Sequence, residues 1–159
     1  VIRLSALYLY NMRSKNILCA VFGFLMTLIA AFFGASIHSS KTNVHISHLN
    51  ELDHIHHFDP EIIPQLNAQA AMFTMPFVLA LLFFELWIVF KSDIRQVKNI
   101  AIGLTVAALI ILVVAILTLM NPVEFDFSQW GYVWITMGIF IVAGNALSIF
   151  IKGNAPQKV

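Results

Sequence analysis

The chain has 159 residues, 60% of them hydrophobic and 11% charged, with a formal net charge of +1. A soluble domain of this size needs a charged shell around its core, so this balance excludes an ordinary water-soluble globule and assigns most of the surface to lipid. The small net charge excludes the broad basic field of a nucleic-acid binder, and the single cysteine, Cys19, excludes an internal disulfide or a multi-cysteine metal or iron–sulfur centre within one copy.

The hydrocarbon core of a bilayer is about 30 Å thick and takes about 20 helical residues, so uncharged runs of that length mark candidate spans. The first is 17–37, preceded by Arg3, Arg13 and Lys15. Cations ahead of an apolar run also describe a secretory signal, here with a cleavage site near Gly34-Ala35-Ser36. The apolar stretch of a signal is about 7–15 residues, and this run is longer, which favours a retained helix. The opening Val1 fits a fragment, a processed end or a GTG start, with Met12 as an alternative first residue.

Residues 38–67 read as a long outer loop that holds every histidine of the chain: His38, His45, His48, His54, His56 and His57. Glu51 and Asp53 lie among them, so imidazole and carboxylate, the ligand types of zinc and copper, share one stretch. His45/His48 and His54/His57 are each three apart, which puts each pair on one face of a helical turn. One transition-metal ion held by some combination of His45, His48, His54, His56 and His57, with Asp53 or Glu51 added, is the metal reading. The competing reading comes from Ile46, Leu49, Leu52, Ile55 and Phe58, whose spacing of three fits a short helix lying on the outer membrane surface with incidental histidines. No HExxH motif is present, which leaves a membrane metalloenzyme as the third reading of the same residues.

The second span, 68–90, contains Pro76, expected to bend it and leave the Met72 carbonyl short of a donor. Its only charge is Glu85. An intramembrane carboxyl defaults to a functional acid, but Lys91 follows within about 9 Å along the axis, which also admits an interfacial or packing role. Lys91, Asp93, Arg95 and Lys98 fill the next connection; the third span, 100–120, stops at Asn121-Pro122. The fourth, 130–151, carries Asn145 roughly 10 Å before Lys152, at a depth similar to that of Glu85. An amide can donate to a carboxylate or accept from its neutral form, so Asn145 is the expected partner of Glu85.

Trp87, Trp130, Tyr132 and Trp134 lie near the ends of spans and read as headgroup anchors. Ala30/Gly34, Gly103/Ala107 and Gly144/Ser148 are small pairs at the spacing that lets helix backbones approach. No histidine sits where a four-helix cytochrome holds its haem, and no phosphate loop or nucleophile–base order is present. Lys and Arg concentrate in the N-terminal segment, the second connection and the tail, so both termini are expected in the cytoplasm, within a bacterial inner membrane if the chain is bacterial.

These features predict one all-α membrane domain over 1–159, an antiparallel bundle of four transmembrane helices with a long outer loop between the first two. Function is read first as a non-catalytic accessory or structural subunit, partnered by lipid and by other membrane subunits, and second as a zinc- or copper-binding or transport module. Catalysis has no positive signature.

Overall fold

A computed structural model of the chain describes the backbone at 2–49, 62–124 and 127–151, and the side chains at 10–42, 62–124 and 131–151. Four helices account for nearly all of it: α1 (Ile2–Leu49), α2 (Ile62–Lys91), α3 (Arg95–Met120) and α4 (Phe127–Phe150). Each contains a stretch long and apolar enough to cross a membrane, at Tyr10–Thr42, Ile62–Lys91, Arg95–Met120 and Gly131–Phe150. The chain is an all-α, four-helix integral membrane bundle.

The helices are longer than the uncharged runs because helix formation does not stop where hydropathy does. After Gly34 neither glycine nor proline occurs before Pro60. Polar side chains along the way fold back on their own helix, Ser36 Oγ donating to Phe32 O at 2.9 Å and Thr42 Oγ1 to His38 O at 3.0 Å. Residues 38–49, expected in the outer loop, are therefore the last turns of α1, and the surface helix expected from Ile46 onward is α1 itself as far as Leu49. At 1.5 Å per residue α1 is about 72 Å long, against about 40–45 Å for a bilayer with its headgroups, so it projects well beyond the membrane. Pro64 falls in the first turn of α2, where its missing donor costs nothing, and α2 continues through the lipid-facing Pro76 to Lys91. Only Ser92–Ile94 separates α2 from α3; Ile94 N–H donates to Ser92 Oγ at 3.3 Å, which holds this turn closed.

Helix seams join α1 to α2, α2 to α3, α3 to α4 and α4 to α1. At one end, Lys15 Nζ lies 5.0 Å from the Phe84 ring centroid, which sets the first half of α1 beside the last turns of α2. At the other, Asn67 Nδ2 donates to Pro122 O at 2.7 Å and ties the start of α2 to the α3–α4 turn. The bundle thus runs up and down in chain order.

The buried positions of α1 from Asn16 are Cys19, Gly23, Met26, Ala30, Phe33 and Ile37, and those of α4 are Gly131, Trp134, Gly138, Ile141, Asn145 and Ser148. Their steps alternate between three and four, the spacing of a coiled-coil seam. Large apolar side chains such as Phe24, Phe32, Phe83 and Phe150 point outward, as lipid allows and water does not.

The α1–α4 seam is the tightest. A Cβ at Gly23 would stand 2.8 Å from Ile141 Cγ2, and one at Gly138 would collide with Thr27 Oγ1 while lying 3.2 Å from the Gly23 carbonyl oxygen. Of the glycines in the small pairs expected to pack, only Gly144 meets a neighbour, Leu104, at 2.9 Å; Gly34 and Gly103 face open space, although their pair mates Ala30 and Ala107 are buried. Trp134 departs from the headgroup role expected of it: it is 1% exposed and the largest buried side chain, because it occupies a core position of the α4 seam. Tyr132, two residues earlier, is exposed as an anchor would be.

Candidate functional site

Three seams bring their polar positions to one level. On α2 the buried face runs Val78, Leu81, Glu85, Ile88, so Glu85 points inward while Phe83 and Leu86 point to lipid. On α4 Asn145 lies on the face of Ile141 and Ser148, and on α1 Cys19 lies between Asn16 and Gly23. All three side chains, Glu85, Asn145 and Cys19, have no exposed surface.

Asn145 Nδ2 donates to Glu85 Oε1 at 2.7 Å and also to Ile141 O at 3.0 Å, so its amide is held from both sides. The bond joins α2 to α4, which are not adjacent in the ring of seams, and it crosses the middle of the bundle. Glu85 Oε2 and Asn145 Oδ1 have no hydrogen-bond partner. The Cys19 thiol faces the same carboxyl from α1. One turn outward, Lys15 Nζ rests on the rings of Phe84 and Trp87, one residue before and two after Glu85 on α2, at 5.0 and 5.9 Å. The site therefore has more acceptors than donors, and a proton is the smallest addition that restores the balance.

Asn16 is buried one turn outward of Cys19 and donates through Nδ2 to Met12 O at 3.3 Å; Ser148, one turn outward of Asn145, donates to Gly144 O at 2.9 Å. Between them lies a cavity of about 30 Å³, bounded also by Arg13, Ser92 and Val97. Sequence reading placed Glu85 and Asn145 at one depth but gave no place at this site to Cys19, to Ser148, read only as a packing residue, or to Asn16. The signal that would have found them is the alternating three-four spacing, which carries them on the same faces as the small residues of α1 and α4.

The proposed metal ligands are not brought together by anything described. His45 and His48 fall on the helical backbone of α1, with side chains outside the described residues. Glu51, Asp53, His54, His56 and His57 lie outside the described residues altogether. Among the described residues no group of three or more His, Cys, Asp or Glu could hold a metal ion.

Fold and site together define a four-helix membrane protein with a buried carboxyl–amide pair at its centre. Comparison with protein-family models, with curated proteins and with solved structures gives no match.

Proposed function

We propose that the chain is a small non-catalytic membrane protein, an accessory subunit of a larger membrane assembly, whose working part is a proton-exchanging acid at Glu85. The observation that carries this reading is the 2.7 Å bond between two fully buried side chains, with Glu85 Oε2 and Asn145 Oδ1 left unpartnered. A carboxyl inside a membrane is costly, and an aliphatic residue at this seam position would pack without that cost. Asn145 supports both states of the acid. Ionised, Glu85 accepts the amide N–H; neutral, its O–H has an acceptor in the same amide. The titratable group facing it from α1 is Cys19, with Lys15 a turn further out. The described part of α4 offers the amide alone, and the charges of α3 are Arg95 and Lys98 in its first turn. Arg13, Lys15, Lys91, Arg95 and Lys98 share the end of the bundle that holds Glu85, which by the positive-inside rule is the cytoplasmic one.

Infrared spectroscopy of the chain in lipid vesicles across a pH series tests this. The expected result is a carboxylic-acid carbonyl band distinct from those of the seven other Asp and Glu side chains, absent from Glu85→Gln, displaced in Asn145→Leu, and gained and lost reversibly as pH is swept. A Glu85 carboxyl that keeps one form throughout the range in which the chain stays folded removes the proton-exchange reading. The accessory role predicts a membrane partner retained in fixed ratio through purification. Zinc or copper binding at His45, His48, His54, His56 and His57, with Asp53 or Glu51, rests on composition and spacing; calorimetric titration with zinc and copper of the wild type and of a His45→Ala, His48→Ala variant decides it, and equally weak binding by both discards it.

A further inference from the structure

We propose that the cavity between the start of α1, the α2–α3 turn and the end of α4 is the aqueous entry through which Glu85 exchanges its proton, and that this entry opens to one side of the membrane only. This deepens the reading of Glu85 as a proton-exchanging acid and rests on it. The cavity, about 30 Å³, exceeds the ~10–15 Å³ that one water needs. Its wall mixes apolar residues such as Met12, Ile94 and Val97 with the polar Arg13, Asn16, Ser92 and Ser148. Ser148 Oγ spends its hydrogen on Gly144 O and keeps its lone pairs for a water, and Asn16 is fixed by its bond to Met12 O. Ser148 lies three residues from Asn145, and Asn16 three from Cys19, so each helix offers a second polar group about 4.5 Å further in, on the same face. These inner groups meet at Glu85, whose unpartnered Oε2 is the atom that gives its proton to a water and takes one back.

Beyond Glu85 the seams change character. Met26, Val78, Leu81, Ile141 and Trp134 fill the next turns with buried apolar side chains, and the buried hydroxyl of Thr74 is committed to Ala70 O at 2.8 Å. Among the described residues water has Arg13, Asn16, Ser92 and Ser148 as polar neighbours on the entry side, whereas on the far side the hydroxyls of Thr27 and Thr74 are spent on their own helices. Such a site samples the proton activity of one compartment, as a sensing or regulatory subunit would, instead of conducting between two.

The test is the rate at which the Glu85 carbonyl band shifts after transfer of the protein in lipid vesicles to heavy water, at a pH where that band is present. Ser148→Leu and Asn16→Leu fill the entry from two different helices and are expected each to slow the exchange about tenfold or more by displacing the water that carries it. Thr74→Val, at the opposite end, is expected to leave the rate unchanged. Thermal unfolding identifies any variant that fails to fold, and the other filled variant then decides. Equal rates in the wild type and a folded, filled variant overturn the entry, as does slowing by Thr74→Val equal to that of the filled variants, while the pH-dependent band of Glu85 still stands. Absence of any Glu85-dependent band removes the proton-exchange reading itself, and the entry with it.

Discussion

Glu85 and Asn145 are each costly alone and inexpensive together. Removing one partner strands a buried polar group, whereas replacing both with apolar residues removes the problem. Asn145→Leu is therefore expected to destabilise the folded bundle by about 1–2 kcal/mol, in line with polar contacts between membrane helices. The double variant Glu85→Leu, Asn145→Leu should be markedly less destabilised than the sum of the two single ones. Unfolding of the four proteins in detergent measures this, and strict additivity would show that the 2.7 Å bond carries no coupling energy. Counting residues back from Lys91 and Lys152 puts the two side chains at one depth, which is why sequence alone suggests the pair. Depth says nothing about azimuth, and the same reasoning misplaces Trp134, which stands near a helix end yet turns into the core.

At the level of helices, the closest approach is where α1 and α4 cross at Gly23, Thr27 and Gly138. Thr27 is β-branched, its Oγ1 is fixed to Gly23 O at 2.9 Å, and it has little freedom to move away from a new methyl group. Gly138→Ala should push the helices apart and cost about 1–3 kcal/mol, with part recovered when Thr27→Ala removes the colliding oxygen. Gly103→Ala, which meets open space, should be tolerated and gain helix propensity. Thermal unfolding of these variants separates the two glycines; equal losses at Gly138 and Gly103 would contradict the seam. A sequence scan for small residues four apart selects Gly34 and Gly103 and misses Gly23 and Gly138, because every apolar helix contains such pairs and only the partner helix decides which are used.

The whole molecule is an up-and-down bundle with Arg13, Lys15, Lys91, Arg95 and Lys98 gathered at one end and a long α1 extension, carrying Lys41, at the other. With Cys19, which is buried, replaced by Ala, single cysteines at the exposed Thr42 and Asp93 should react with an impermeant thiol reagent from opposite sides, Thr42→Cys from outside and Asp93→Cys from the cytoplasm. Labelling of both from one side would overturn the orientation. Asp93 suits this experiment because its neighbour Ser92 is 8% exposed and lines the cavity.

What the sequence by itself determined is the solvent of the protein, the number of its helices and the depth of its polar residues, since a bilayer imposes one length and one polarity on anything that crosses it. Neither the reach of α1 to Leu49 nor the inward faces could be read from hydropathy. Helix propensity runs on through polar residues when no glycine or proline intervenes. In lipid the outer face of a helix is as apolar as its core, so the contrast that marks a buried face in water is missing. Only the tertiary structure decided that Cys19 faces Glu85 and Asn145, with Asn16 and Ser148 one turn outward, because that choice is made by the packing of Gly23 and Gly138 across the α1–α4 seam, a property of two helices in contact and of neither one alone.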